Sequence, residues 1–318
     1  MKKILTFTMS LKQSQWEVER VVEEAKKRGI EVERALYRDV QFSMINDQLS
    51  KILVGGEEIG PENTMGVWFR VAGTKSGKYT EGRNLLIRSL QNRVFCCNAR
   101  GYLNWARMGK IAQHGVFVEE GIPVVSTRIF YTKESIINSI GEIEREWGWP
   151  IIAKHERGYQ GKSVRKFDNR EEMLKWLGKM DEKNLGMFLW QKFLPGGWDI
   201  RVIVIDGKAI GAMKRSAKKG EFRSNFSLGG EVERWELSEE EKELAEKVAR
   251  VCGLDYGGVD IMKSQKNPSE SPLDRGDVSF ILEVNRQCQF QGFEKATGIN
   301  VAAKVVEMMI EKSRRSGS

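Results

Sequence analysis

The sequence predicts an α/β protein in which a parallel sheet comes first and antiparallel hairpins follow. Three observations lead there. Residues 3–9 are apolar and β-prone, residues 14–29 repeat apolar positions at helical spacing, and Ile30–Leu36 is again a strand. Strand, helix, strand at these lengths argues a βαβ unit. Farther on, Pro150–Lys154 and Val164–Phe167 flank a Gly-rich loop, the pattern of a strand and its return. Finally, Asp206-Gly207 separates Asp199–Ile205 from Ala209–Lys214, the strongest short-range hairpin signal in the chain.

Taken in order, the first helix is expected to open on a capping box of Ser14 and Glu17, to place Val18, Val21, Val22 and Ala25 at i, i+3, i+4 and i+7, and to stop at Gly29. Val67–Val71 and Val94–Cys97 are expected strands, with Leu85–Leu90 on a helix between them. The adjacent Cys96 and Cys97 then read as strand packing. Residues 104–120 are helical in pattern, and Gly121–Thr127 turns into a strand. Thr132–Trp147 is a helix ended by Gly148 and Pro150. The strand Phe188–Leu194 ends in Pro195-Gly196-Gly197, a hinge signal. Ser238 and Glu241 cap a second amphipathic helix that ends at Gly253. Val259–Met262 and Phe280–Val284 are strands separated by the polar stretch Lys263–Val278, expected to be a surface insertion. The last helix is expected from Val301 to Lys312, with Arg314–Ser318 frayed.

The chain has 318 residues, 52 Lys+Arg against 44 Asp+Glu, and a formal charge of +8, which asks for an anionic partner. A length of this order accommodates two or three packed units. No apolar run approaches the ~20 residues of a spanning helix. The start MKKILTFTMSL imitates a signal peptide, yet its apolar stretch is short and no small-residue cleavage site follows. Four cysteines, two of them adjacent, make neither a disulfide framework nor a CxxC metal pattern, so a cytoplasmic setting is expected.

Three segments carry chemistry. Lys154-His-Glu-Arg-Gly158-Tyr-Gln-Gly161-Lys162-Ser163 sets two glycines directly after a strand, where backbone N–H groups can turn toward an anion. Its spacing differs from GxxxxGK[ST], and Gly73-Thr-Lys-Ser-Gly77-Lys78-Tyr79 lacks the final hydroxyl residue. A plain hairpin turn explains either segment alone. Second, Asp260 in Gly257-Gly-Val-Asp260, and Glu283 with Asn285 in Ile-Leu-Glu283-Val-Asn285, place oxygen donors inside apolar strands. Positions i and i+2 share a strand face, so three donors converge if the two strands are antiparallel neighbours. Such a set suits Mg²⁺, which takes few carboxylates and accepts substrate phosphates. Third, Lys214-Arg215-Ser-Ala-Lys218-Lys219-Gly-Glu-Phe-Arg223-Ser224-Asn225 joins a charge run to an oxyanion clamp. A solvated face is the bland reading of that run. His114 and His155 have no Ser, Cys or Asp at informative spacing, so a triad hydrolase or His-ligated zinc lacks support.

Together and in order, these segments resemble the ATP-grasp superfamily, and within it the RimK-type glutamate ligases. The match is carried by RSAKKGEFRSNFSLGG from Arg215, GLDYGGVDIM, ILEVN and GFEKATGINVA, and spans roughly residues 98–312. The resemblance implies an ATP-grasp fold: an N-terminal Rossmann-like pre-ATP-grasp domain at 1–108, a subdomain with a Gly-rich lid at 109–190, and a C-terminal subdomain with a metal site at 191–318. It implies that Lys110 and Lys154 hold ATP phosphates. Gln191, Lys192 and Phe193 would meet adenine at the hinge, the last two through their backbone, and Asp199 the ribose. Arg215 and Arg223 would stabilise the transferring phosphoryl group, with Ser224 and Asn225 beside them. Asp260, Glu283 and Asn285 would bind two Mg²⁺ or Mn²⁺ ions.

The implied activity joins a carboxylate to an amine through an acyl-phosphate, adding glutamate or another amino acid to a peptide, protein or small-molecule acceptor and releasing ADP and phosphate. The partners would be ATP, an amino acid and a carboxylate-bearing acceptor, without nucleic acid or membrane, in a homodimer or homotetramer. Lys192 stands where the family commonly has Glu, and Ser163 where a second lid glycine is common. After Asn285 a small Ala-Ser-Pro-Gly turn is replaced by Arg286-Gln-Cys-Gln-Phe-Gln291-Gly292, expected to face the acceptor. Alternatives are a glutathione-synthetase-type ligase for a small acid, a non-catalytic ATP-binding regulator, and a nucleic-acid binder suggested by the charge and nine Trp, for which no recognition motif is present. Residues 154–166 and 214–223 each carry a net +4, so the excess falls on the expected lid and phosphoryl-transfer strand.

Overall fold

Every residue of β1 (Lys3–Thr8) is buried, as happens in a strand covered on both sheet faces. The computed structural model describes residues 2–316 apart from 13, 47, 71–76, 106, 157–163, 219–229 and 264–277. After β1 come α1 (Gln15–Lys26), β2 (Val32–Leu36), β3 (Val40–Ile45), β4 (Gln48–Val54), β5 (Glu57–Glu58), β6 (Thr64–Phe69), α2 (Thr80–Leu90) and β7 (Phe95–Cys96). Strands β2-β1-β6-β7 form a sheet in which every pairing is parallel. Ile4 and Trp68 face α1, while Leu5, Phe7, Val67 and Phe69 face Leu86, Ile87 and Leu90 of α2. The expected βαβ start is therefore a doubly wound sheet.

One expectation fails in this region, and one element was not expected. Ser14 and Glu17 form no capping box: Ser14 lies in the left-handed region at φ 50° and its side chain caps nothing, whereas a capping residue normally has extended backbone. Strands β3, β4 and β5 make a separate antiparallel sheet that the sequence pattern does not announce. Met44 and Ile45 of β3 stay exposed, so burial there does not follow hydrophobicity.

The helical pattern of 104–120 is broken. It becomes α3 (Ala99–Asn104) and α4 (Lys110–Glu119), because Gly109 is the extended residue that starts α4. There follow β8 (Thr127–Ile129), α5 (Lys133–Trp147), β9 (Ile151–His155), β10 (Val164–Phe167), α6 (Arg170–Lys179) and β11 (Phe188–Lys192). The sheet order is β10-β9-β11-β8, antiparallel throughout. Ile136, Ile140 and Ile143 of α5 and Met173 and Leu177 of α6 cover the face formed by Ile151, Ala153 and Trp190. Strand alternation turns Ile152, Lys154 and Gln191 to the other face.

The last sheet uses β12 (Trp198–Ile205), β13 (Lys208–Ser216), β14 (Glu231–Trp235), then α7 (Glu239–Val251), β15 (Tyr256–Lys263) and β16 (Ser279–Asn285), in the order β14-β13-β12-β15-β16. Asp206 and Gly207 both have positive φ, 48° and 74°, the mirror-image turn that suits strand twist and favours glycine. The capping box of Ser238 and Glu241 is formed as expected. One face, with Ile200, Val202, Val204, Val259 and Ile281, packs on α7. On the other, Ile203, Ile205, Met213 and Tyr256 meet α8 (Gln291–Thr297) and α9 (Val301–Ser316). Helix α9 also packs on α1 and β6, so the chain end returns to the first sheet. It stays helical through Arg314 and Arg315, where fraying was expected; its packing and the Arg28–Glu307 pair at 2.6 Å hold it. Among the described residues, no helix is long and apolar enough to cross a membrane.

Candidate functional site

The ionisable face of the five-stranded sheet is set by register. Asp199 lies opposite Arg215, Arg201 opposite Asp260, and Asp260 opposite Glu283. Strands β15 and β16 are thus antiparallel neighbours, and Asp260, Glu283 and Asn285 come together. A bulge makes this work: Asp260 pairs with Glu283 but Ile261 pairs with Ile281, so the extra residue Leu282 lets Ile281 face the core while Glu283 faces the site.

The carboxylates are held by cations. Arg201 grips Asp260 with two bonds of 2.7 Å, Nε to Oδ1 and Nη2 to Oδ2. Arg215 spans Asp199 at 2.5 Å and Asp260 at 3.0 Å. Arg215, Asp199 and Asp260 are all at most 5% exposed. Burial alone lowers the pKa of Arg215, but Asp199 and Asp260 more than offset it and hold it above the usual range. Lys110 Nζ sits 2.6 Å from Glu283 Oε2. Burial alone raises the pKa of Glu283, but Lys110, then Asn285, hold it well below the carboxylate range. Asn285 donates from Nδ2 to Glu283 Oε1 at 3.1 Å and Asp260 Oδ2 at 3.5 Å.

Lys154 enters from the four-stranded sheet. It lies within electrostatic reach of Glu283, Lys110, Asp199 and Asp260, and burial lowers its pKa to about 8. Two sheets therefore present opposite sides of one polar cleft. Gln191 is buried and donates from Nε2 to Thr127 Oγ1 at 2.8 Å and His114 Nε2 at 2.9 Å, while its Oε1 has no partner. His114 Nδ1 meets Lys110 O at 2.9 Å. Burial lowers the His114 pKa to about 4, so the ring is neutral, with Nδ1–H donating to Lys110 and Nε2 accepting from Gln191. Lys192 donates its backbone N–H to Ser126 O at 3.0 Å, and Phe193 has the Lys166 ammonium 5.7 Å from its ring centroid. Asp199 is engaged by Arg215.

Arg223, Ser224 and Asn225, and the loop from Gly158 to Ser163, lie outside the described residues, as do most of Gly73–Gly77 and the insertion at 264–277. Two contributors escape motif reading. Arg201 was detectable only as the i+2 neighbour of Asp199 on one strand face. Gln113 pairs with the backbone of Val284 like a strand, donating at 3.1 Å and accepting at 2.8 Å. That clamp fixes α4, and with it Lys110, against β16; no local signal could reveal it. Among the described residues, no group of three His, Cys, Asp or Glu can hold a metal. The donor set is two carboxylates and, with the Asn285 amide turned over, a third oxygen. Such all-oxygen sets suit a hard divalent ion that keeps water and phosphate ligands.

Comparison with known proteins agrees with this geometry. A family model described as RimK-like ATP-grasp domain matches residues 108–309. A probable alpha-L-glutamate ligase of Legionella pneumophila (strain Corby) is 31% identical over 204 residues, covering 63% of this chain and 62% of the relative. Another, of Thioalkalivibrio sulfidiphilus (strain HL-EbGR7), is 33% identical over 226 residues, covering 70% of this chain and 69% of the relative. The match thus spans less than two thirds of the length of the Legionella relative. Among solved structures, the ATP-grasp ligase PsnB complexed with minimal precursor, Mg and ADP has a TM-score of 0.71 at 19% identity, over 98% of this chain and 96% of that one. The macrocyclase MdnC bound with precursor peptide MdnA, from Microcystis aeruginosa MRC, gives 0.69 at 15% identity, over 97% and 99%. These likenesses show an ATP-grasp fold.

Proposed function

The chain belongs to the RimK-like ATP-grasp family, and we propose that it is an ATP-dependent carboxylate–amine ligase that forms an amide bond through an acyl-phosphate. The observation that carries this reading is the convergence of Lys154 from one sheet with Lys110, Glu283, Asp260 and Arg215 around the other. Cations and carboxylates alternate there among the described residues, the composition expected where positioning and charge do the catalysis.

In this reading Lys110 and Lys154 bind the phosphates, and Gln191, Lys192 and Phe193 form the adenine end with Asp199 toward the ribose. Asp260, Glu283 and Asn285 would hold two Mg²⁺ or Mn²⁺ ions, which when bound neutralise phosphate charge. Arg215, kept charged by Asp199 and Asp260, faces the phosphoryl group in transfer, with Arg223, Ser224 and Asn225 beside it. The acid's carboxylate oxygen takes the γ-phosphoryl group and ADP leaves; the amine then attacks the acyl carbon, phosphate leaves and the amine loses a proton. The segment 157–163 would close over the cleft and exclude water. The nucleotide would lie between units 109–190 and 191–318, with 1–108 toward the acid and amine. We propose glutamate or another amino acid as the amine and a peptide, protein or small acid as acceptor.

The test is a panel of acids and amino acids with MgATP, scored by phosphate release and product mass. An amide product formed with equal ADP and phosphate is expected. Nucleotide binding without turnover across the panel would contradict the reading.

A further inference from the structure

One residue joins the first sheet to the strands that carry the acidic donors. Cys97 donates its N–H to Val67 O at 2.9 Å and so belongs to the parallel sheet. The next residue, Asn98, is 2% exposed and turns left-handed at φ 62°, a conformation that asparagine tolerates better than most residues. It precedes α3, where an asparagine side chain normally caps the helix, yet it caps nothing there.

The side-chain amide serves β15 and β16 instead. Its Oδ1 accepts from Asp255 N at 2.7 Å and Tyr256 N at 2.9 Å, and its Nδ2 donates to Tyr256 O at 2.8 Å and Arg286 O at 3.1 Å. The backbone N–H of Asn98 donates to Asp255 Oδ2 at 2.6 Å. The ladder of β15 and β16 ends with Gly258 opposite Asn285, so continued pairing would set Gln287 against Tyr256. Asn98 takes that place, and both backbone groups of Tyr256 go to one side chain. The chain after Asn285 is led away through Arg286, whose Nη1 donates to Gly101 O at 3.1 Å and Trp105 O at 2.6 Å. The departing tail stays close, since a Cβ on Gly258 would lie 2.9 Å from Cys288 Cβ.

Where the two strands part decides how Asn285 stands. Asn285 is the last paired residue of β16, and its amide reaches both Glu283 and Asp260. Strands that zipped one pair farther, or frayed by one, would turn that amide away from the two carboxylates. We propose that Asn98 is a positioning residue of the phosphoryl-transfer centre: wedged between β15 and β16, it fixes the point where they part, and with it the convergence of Asp260, Glu283 and Asn285 that a divalent ion requires. The inference rests on the ligase reading. Groups that hydrogen-bond behind the donors set donor orientation and ion affinity. Gln113 grips the backbone of Val284 and Asn98 the carbonyl of Arg286, so Asn285 lies between two residues held by buried amides.

The test compares the full chain with Asn98→Gly, which suits the left-handed backbone, and Asn98→Asp, which keeps the acceptor and loses both donated bonds. Leu86→Ala, in the core between the first sheet and α2, is the control for lost stability alone. Mn²⁺ binding with ADP present is read from the electron paramagnetic resonance of the free ion. Separately, kcat and the KM for ATP are measured at saturating Mg²⁺ with the best acid and amine. Both Asn98 variants should bind Mn²⁺ about 10–100-fold more weakly and lower kcat by a similar factor, with the KM for ATP within about threefold of the parent. Leu86→Ala should lower the melting temperature and leave Mn²⁺ affinity and kcat within about twofold. Asn98→Asp decides the matter if Asn98→Gly does not fold. Unchanged Mn²⁺ affinity in a folded Asn98 variant, or an equal loss in Leu86→Ala, would overturn the proposal and leave the ligase reading intact. Weaker Mn²⁺ binding by the variants, without turnover of any acid and amine by the parent, would support the positioning role and overturn the ligase reading alone. A parent chain that binds no Mn²⁺ beside ADP would overturn both.

Discussion

The molecule contains two buried cationic regions that are built differently. On the five-stranded sheet, Arg201, Arg215 and Lys110 are matched to Asp260, Asp199 and Glu283 at 2.5–3.0 Å. Around Tyr102, by contrast, Arg70 lies over Trp68, Arg83 and Arg286 lie over Tyr102, and Arg70 and Arg286 donate to backbone carbonyls. A region that carries its own counter-charges is pre-organised. A region that pads its cations with rings and carbonyls relies on cation–π contact and backbone acceptors instead.

The largest expected effect comes from removing a carboxylate of the matched region. Asp260→Ala leaves Arg201 buried without its paired carboxylate and Arg215 with Asp199 alone, and should cost about 3–5 kcal/mol in denaturant unfolding. A loss below 1 kcal/mol would show that solvent already satisfies both arginines and would blur the contrast. Next, Arg215→Lys should lower turnover about 10²–10³-fold while the protein stays folded, because one ammonium cannot span Asp199 and Asp260 as a planar guanidinium does. Restoration of activity by lysine would reduce Arg215 to a point charge.

A pH effect separates the regions as well. His114 takes its proton near pH 6.5 when unfolded and only near pH 4 when folded, so between these values the unfolded chain binds more protons. Stability is full above about pH 6.5 and falls toward pH 4, by up to about 3 kcal/mol. His114→Gln should flatten that slope in pH-dependent melting; an unchanged slope would assign it to other groups. The smallest effect is expected at the rim of the second region. Lys78→Gln should change stability by less than about 0.5 kcal/mol in the same melting experiment; a larger loss would show that this exposed lysine carries structural weight.

What was legible in the sequence follows from how local each cause is. The Asp206-Gly207 turn and the Ser238–Glu241 box lie within a few residues, and both formed as read. The acidic residues of β15 and β16 stood out because their neighbours are apolar, and antiparallel pairing brought them together. Ser14 had the right residue type, but its backbone turned left-handed. Arg201, Gln113 and Arg70 gain their meaning only from residues 59, 171 and 218 positions away. No window of sequence contains those pairs. The sheet of β3, β4 and β5 was hidden for another reason, since its apolar side chains are partly exposed and the alternation lacks contrast.

The most direct measurement is ADP release by Glu283→Gln beside the parent chain, with MgATP and the best acid and amine of the panel, and product counted by mass. Glu283 is where Lys110, Asn285 and Asp260 meet, and the amide keeps its size while removing its charge. The expected result is one ADP per amide bond for the parent chain and a fall in turnover of about 10²–10³-fold or more for the variant. Turnover by Glu283→Gln within threefold of the parent would contradict a phosphoryl-transfer centre on this sheet face.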